Sequence, residues 1–353
     1  MAGNIRMDSH KLMLHPERVA AWRAGRLIYP IEMEIGISGA CNHRCIFCAI
    51  DYIGYKPNML RLSVLRPNLQ IMGQKGIRSI IFAGEGEPLL NPEAPDIINC
   101  AKQCGMDAAL STNAALLTPD KASACLKSLS WMRVSIAGAS AAVYEKIHQC
   151  RPGELSNVLD NMAAAAEIKK RDNLPVTLGA QMLLLPENKD EVLALGRMVK
   201  KIGFDYFTVK PFSPHPSSKS KVQVDYSEAG AIGEELALLV SGDFQVYFRA
   251  QSIENLAMEK PYTACEGLHF MAHMDAKGDV FPCVAYVGRQ DFNYGNIYQT
   301  DFAQIWESER AQKIRKIFKD EFIHRSCRKA CRLDEMNKYL HELKYPHAHV
   351  NFI

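Results

Sequence analysis

The sequence predicts an α/β fold: an open, partial barrel of parallel strands followed by a small cysteine-rich region. Short β-rich runs alternate with amphipathic helical stretches from residue 31 to about residue 210. Such alternation implies a parallel sheet with helices outside it. Six strands of this kind are too few to close an eight-stranded barrel, so the sheet stays open. Beyond residue 262 regular patterns thin out and cysteines space the chain.

Taken in order, residues 1–30 are a lead-in with one helix over 16–25. Strands are expected at 31–38, 79–83, 107–111, 132–136, 176–182 and 206–209. Helical stretches lie near 62–75, 93–104, 119–128, 154–171 and 188–202. Residues 211–221, rich in Ser and Pro, read as a linker or lid, with a helix near 227–241 and a strand near 244–249 after it. Runs at 271–275 and 279–281 form a hairpin, with Gly278 suited to its tight turn. The chain therefore divides into a lead-in (1–30), a partial barrel (31–225), a connecting segment (226–261) and a small C-terminal domain (262–353). Residues 333–353 carry no assignable pattern. Active groups belong at the C-terminal ends of the barrel strands.

Composition narrows the function classes. A hydrophobic content of 48% over 353 residues allows a sizeable core. A net charge of +3, with no long basic stripe, argues against nucleic acid as a partner. No apolar run approaches the roughly 20 residues of a membrane span, and no signal-peptide pattern opens the chain. Eleven cysteines without such a signal point to a reducing compartment, the cytoplasm, where cysteines serve metals or catalysis.

Cys41, Cys45 and Cys48 form C-x3-C-x2-C just after the first strand. Soft thiolates suit iron–sulfur clusters and zinc alike. A structural zinc site closes with four ligands, whereas a site missing one is open for chemistry. The alternative is a zinc knuckle with a fourth ligand such as His43.

This motif in this position resembles the radical S-adenosylmethionine (SAM) superfamily, whose members have a partial, TIM-like (β/α)6 barrel. The resemblance implies a three-cysteine [4Fe–4S] cluster whose fourth iron is chelated by SAM, and reductive cleavage of SAM to a 5′-deoxyadenosyl radical that abstracts a substrate hydrogen. Other segments match in order. Phe47 occupies the aromatic position near adenine. Gly84-Glu85-Gly86-Glu87-Pro88 resembles the Gly-Gly-Glu-Pro motif, with Glu85 replacing a glycine and Glu87 as acceptor for the methionyl ammonium. Ser111, Thr112 and Asn113 resemble the segment near the ribose; Ser135 is placed at the SAM carboxylate or ribose and Gln181 at the ribose.

Cys265, Cys283, Cys327 and Cys331 supply four thiolates, enough for one closed site, iron–sulfur or zinc. With Gly295-Asn296-Ile297 and Trp306, they resemble the SPASM or shorter twitch extension, which implies an auxiliary [4Fe–4S] cluster. Cys100, Cys104 and Cys125 read as packed apolar residues. Cys150 is a candidate hydrogen-atom donor of the kind some radical SAM epimerases use. Tyr52, Tyr55, Lys210 and His215 are candidates for lining the substrate cavity.

The resemblance implies an oxidoreductase or epimerase acting on a small polar substrate of carbohydrate or aminocyclitol type, with an external electron donor such as flavodoxin or ferredoxin. The rivals are a peptide-modifying maturase, a non-catalytic iron–sulfur electron carrier and a zinc-bound interaction module. The thirty or so residues ahead of the first strand are few for a peptide-binding module, which favours the small molecule.

Overall fold

In this computed structural model, which describes residues 9–318 and 327–352, one sheet grows outward from β1 (Glu32–Ile35) in both directions. On one side follow β2 (Ser79–Phe82), β3 (Asp107–Thr112), β4 (Leu129–Ser135), β5 (Thr177–Leu184), β6 (Tyr206–Pro211) and β7 (Gln245–Phe248), all parallel and in chain order. The six expected strands are all present. The strand expected near 244–249 joins them as a seventh, so the segment after β6 contributes to the sheet as well as connecting.

On the other side of β1 the C-terminal hairpin takes the open edge. β8 (Met271–Met274) pairs parallel with β1, Glu32 opposite Met271, and β9 (Asp279–Phe281) and β10 (Gly295–Asn296) continue antiparallel. An unclosed barrel leaves an edge of unpaired backbone groups that must be covered. Here the cysteine-rich region covers it and thereby becomes part of the barrel's own sheet.

Alternation along the strands sorts the side chains. Ile80, Phe82, Leu110, Met132, Val134, Leu178, Ala180, Met182 and Val209 are buried beneath the outer helices, among Leu69, Ile97, Val158, Met162, Leu195 and Val199. Truncating one such residue to Ala costs about 2–5 kcal/mol. The opposite face keeps half-exposed side chains: Ile81, Ser111, Arg133, Ser135, Gln181, Leu183 and Lys210. That polar face is the barrel interior.

The short helices Ala141–His148, Ala250–Ala257 and Glu309–Ile317 escaped the sequence pattern. Ala141–His148 follows β4, capped by Ser140, whose hydroxyl accepts from the Val143 amide. The unassigned tail also has a place. Asp334–Lys344 is a helix whose Leu340 packs with Val19 and Trp22 of helix Pro16–Arg23 and with Phe270.

Candidate functional site

The three-thiol loop lies at the C-terminal end of β1, held there by the turn after β2. Gly86 has φ +75°, and a Cβ on it would sit 2.2 Å from the Ser38 carbonyl oxygen. Only glycine allows this approach. The Glu87 amide then donates to the Ala40 carbonyl at 2.7 Å, next to Cys41. Cys41, Cys45 and Cys48 are half-buried and unpaired by disulfides. Burial, with the neighbouring thiols behind it, pushes Cys41 up to about 12 and Cys45 well above the usual thiol range.

Three thiols on one loop, none of them in a disulfide, make a soft-ligand site one ligand short, which fits an iron–sulfur cluster with an open position. The four C-terminal thiols, likewise free of disulfides, offer a complete ligand set for a closed centre.

Glu87 is 2% exposed. Its Oε1 accepts from the Leu89 amide (3.0 Å) and the Thr112 hydroxyl (2.6 Å), and its Oε2 from the Asn113 amide (2.8 Å). Burial pushes its carboxyl up against these hydrogen bonds. Oε2 keeps capacity for one more donor. Thr112 and Asn113 are thus engaged in the scaffold, and Asn113 also reaches the cysteine loop, its Nδ2 donating to Asn42 at 2.8 Å. Ser111, Ser135 and Gln181 face the interior with no side-chain partner among the described residues. Ser135 and Gln181 sit opposite each other in register.

Glu85 goes elsewhere. Its carboxylate accepts from the Ala276 amide (2.5 Å) and lies 3.4 Å from His273 Nε2, whose Nδ1 is 3.3 Å from Glu34. The glycine-to-glutamate departure in the motif therefore serves the joint between the barrel and β8, not the pocket of Glu87.

His148, which sequence reasoning missed, is fully buried behind the loop. The Ala137 amide donates to its Nε2 at 3.0 Å, so the ring hydrogen is on Nδ1, 3.3 Å from Cys45 Sγ. With both nitrogens engaged, it supports the loop as a hydrogen-bond donor to a ligand sulfur. Burial and His43 hold its pKa down to about 3. His43 is buried with Nε2 3.5 Å from Glu154. Phe47 packs edge-on against His148, ring centroids 5.6 Å apart. Cys150 is half-buried, its thiol pushed up to about 11 by burial and then by Glu154 and Glu145.

The segment expected as a linker or lid is a strap across the loop. Ser218 and Ser220 donate to the Cys48 (3.1 Å) and Ile46 (2.6 Å) carbonyls. Beside it, a cleft of about 720 Å³ is lined by Cys45, Ile46, Tyr55 and Lys219. Arg44 stacks on Tyr55 at 4.1 Å, which places Tyr55 over the loop. Tyr52 stacks on His215 (4.9 Å), and His215 Nε2 lies 2.8 Å from the Ala285 carbonyl. These two rings bridge the first cysteine loop to the second cysteine region.

That second region gathers Cys265, Cys283, Cys327 and Cys331, each acting electrostatically on at least one of the others. Burial pushes Cys265 up to about 12. Asn337 of the tail helix donates to Cys265 Sγ at 3.3 Å and accepts from the Gly267 amide at 2.8 Å. Asp334 accepts from the Cys331 amide (2.6 Å), from Tyr262 and from Lys260 (2.9 Å). Asn337 is a second residue that sequence reasoning missed. Its signal was the helical spacing of Leu333, Asn337 and Leu340 around it.

An open three-thiol loop at the strand ends of a parallel partial barrel, faced by a four-thiol region, defines a radical SAM enzyme. The chain belongs to the radical SAM superfamily, whose model matches residues 35–199, and it carries a SPASM iron–sulfur cluster-binding domain over residues 265–332. Its cofactors are accordingly a [4Fe–4S] cluster with SAM, and auxiliary iron–sulfur. It is 26% identical over 320 residues to the tungsten-containing aldehyde ferredoxin oxidoreductase cofactor-modifying protein of Pyrococcus furiosus, covering 84% of this chain and 85% of that one. It is 23% identical over 312 residues to the AdoMet-dependent heme synthase of Methanosarcina barkeri, covering 82% and 85%. In fold it resembles Streptococcus suis SuiB bound to S-adenosylmethionine (TM-score 0.67, 16% identity, 86% of this chain and 72% of that one). It also resembles anSMEcpe with bound AdoMet (TM-score 0.57, 15% identity, 87% of each chain).

Proposed function

We propose that this radical SAM enzyme takes a hydrogen atom from a small polar substrate, of carbohydrate or aminocyclitol type, held inside the barrel between the two cysteine regions. The observation that carries this reading is the polar interior face, which opens at the strand ends where the two regions meet through Tyr52 and His215. When bound, the open cluster and SAM supply the one-electron cleavage that makes a hydrogen-abstracting radical. Cys41, Cys45 and Cys48 hold that cluster, leaving one position for SAM. Glu87 Oε2 takes the ammonium; Ser111, Ser135 and Gln181 offer hydroxyl and amide groups to the ribose and carboxylate; Phe47 flanks the base. The Ser218–Ser220 strap limits water at the loop. Cys265, Cys283, Cys327 and Cys331 hold an auxiliary cluster for electron exchange with the substrate, giving either dehydrogenation or a redox-neutral epimerisation.

The small-molecule reading is supported by two relatives matched over 85% of their own lengths, one named for modifying a cofactor and one for heme synthesis. The peptide alternative draws on likeness of fold at 16% identity. The setting is a reducing one, the cytoplasm, with a one-electron donor of flavodoxin or ferredoxin class. Among the described residues no helix is long and apolar enough to cross a membrane. The test is to reduce the reconstituted protein, add SAM and measure 5′-deoxyadenosine. Formation well above a Cys41→Ala control is expected; none above it overturns the reading.

A further inference from the structure

The turn that carries Glu87 carries a second buried carboxylate, with no part in the function proposed so far. Glu85, two residues before Glu87, is 6% exposed. Its Oε1 accepts from the Ala276 amide (2.5 Å), and its Oε2 lies 3.4 Å from His273 Nε2 on β8. The other ring nitrogen, Nδ1, lies 3.3 Å from Glu34 on β1. Glu34 is ion-paired with Arg332, the residue after Cys331. His273 and Glu34 are buried. Burial opposes a charge on His273, yet the two carboxylates raise its pKa to about 9. Four charges thus alternate in sign along one row, with Glu32 3.9 Å from its Arg332 end. The row joins the Glu87 turn to the chain at a thiol of the second site.

The backbone is cut to fit this row. A Cβ on Gly36 would collide with Glu85 Oε2, and one on Gly84 would sit 2.6 Å from His273 Cε1. Gly84 (φ +117°) and Gly86 (φ +75°) also flank Glu85, so the backbone on either side of it is permissive. What fixes the turn is the grip of its two carboxylates. Glu87 holds the Leu89 and Asn113 amides and the Thr112 hydroxyl; Glu85 holds β8 and the hairpin turn after it. A buried charge that loses its partner is strongly destabilising. Moving Arg332 leaves Glu34, and through it His273 and Glu85, out of balance, and the glycine-flanked turn is the part that yields. Arg133 also acts on Glu34, so the balance is weakened rather than abolished. Arg332 moves with the second site, because it follows Cys331 directly and the Cys331 amide is held by Asp334 at 2.6 Å.

We propose that Glu85, His273, Glu34 and Arg332 are positioning residues that transmit the state of the second cysteine site to the Glu87 turn, so that SAM binds well only when that site is closed. This rests on the enzyme reading above, in which Glu87 takes the SAM ammonium, and adds to it a control of cofactor binding. Such a link keeps a chain with an open second site from cleaving SAM. Glu85 and Arg332 share no contact among the described residues, so coupling between them runs through His273 and Glu34.

The experiment is equilibrium dialysis of SAM against the reconstituted protein, with iron content and Tm measured on each variant. Glu85→Gln and Arg332→Met should each weaken SAM binding about tenfold, and the two together by no more than about twofold beyond either alone. Arg332→Lys, which keeps the charge, should recover most of the affinity. Opening the second site with Cys265→Ser/Cys331→Ser should weaken SAM about tenfold in the wild-type background and less than about twofold in the Glu85→Gln background. The exposed Lys313→Met should change nothing. If Glu85→Gln or Arg332→Met fails to fold, His273→Gln takes its place in the cycle; if the double-cysteine variant fails to fold, the Glu85/Arg332 cycle decides. A lowered Tm with unchanged SAM affinity, or losses that simply add, overturns the proposal. The same wild-type preparation is assayed for 5′-deoxyadenosine. Its formation with uncoupled affinities sinks the row's role and leaves the enzyme reading standing; coupled affinities without it do the reverse.

Discussion

The two cysteine sites are built in opposite ways. The first places three thiols on one short loop, Cys41 to Cys48, and positions it through backbone contacts at strand ends, above all Gly86 against Ser38 and Glu87 against Ala40. The second draws thiols from three separated stretches of chain and locks them with side chains, Asn337 on Cys265 and Asp334 on the Cys331 amide, Tyr262 and Lys260. A site on one loop can leave a face open for a substrate-like cofactor, because its geometry is fixed from behind. A site assembled from distant segments is fixed only when all of them close around it, which suits an electron-transfer centre.

The strongest way to break this comparison is to delete each site. Cys41→Ala/Cys45→Ala/Cys48→Ala should abolish 5′-deoxyadenosine formation while keeping about four irons per chain in the other site. Loss of all iron in that variant would mean that the second site is no independent centre. Next in size is Glu87→Gln. If Glu87 takes the SAM ammonium as proposed, removing its charge should weaken SAM binding by roughly 10- to 100-fold, measured by equilibrium dialysis. An unchanged affinity would remove Glu87 from the cofactor's partners.

The joint between the sites is sensitive to pH. His273, between Glu34 and Glu85, has its pKa raised by these carboxylates to about 9, despite full burial. The folded value lies above the ordinary 6.5, so its stabilisation is complete below about pH 6.5 and is lost as pH rises through about 9. The Tm gap between wild type and His273→Gln should therefore be wide at pH 6 and narrow by pH 10; a constant gap would contradict this. The smallest expected effect concerns tuning. His148→Phe removes a hydrogen bond to a first-cluster sulfur and Asn337→Leu removes one at the second. Each loss of about 1 kcal/mol should make only its own cluster's midpoint on the order of 40 mV more negative in a redox titration. Cross-effects would show that the sites are electronically coupled through Tyr52 and His215.

Much of the fold was legible because it is local. β1 and β2 lie within the runs expected for them and β3 to β6 overlap theirs by all but one to three residues, since each is a short β-rich run between clear helical stretches. What was not legible depends on distant partners. The helix Ala141–His148 is short, and its buried residues, Tyr144, Ile147 and His148, make sense only against the cysteine loop. Glu85 looked like a departure within a cofactor motif until His273, nearly 190 residues further on, proved to be its partner. Asn337 lay in a tail with no visible role until that tail packed against Trp22 and Phe270.

The sequence by itself determined the chemistry that can occur: three closely spaced thiolates short of a closed site, four more to complete another, and β/α alternation to present them at strand ends. Spacing along a loop and period along a strand are short-range properties, set by neighbouring residues alone. Only the tertiary structure decided what surrounds that chemistry. It paired β8 with the free edge of β1, turned Glu85 to the joint, and aimed His148 at Cys45. Those outcomes follow from burial and from pairing between residues far apart in the chain, which no local pattern records.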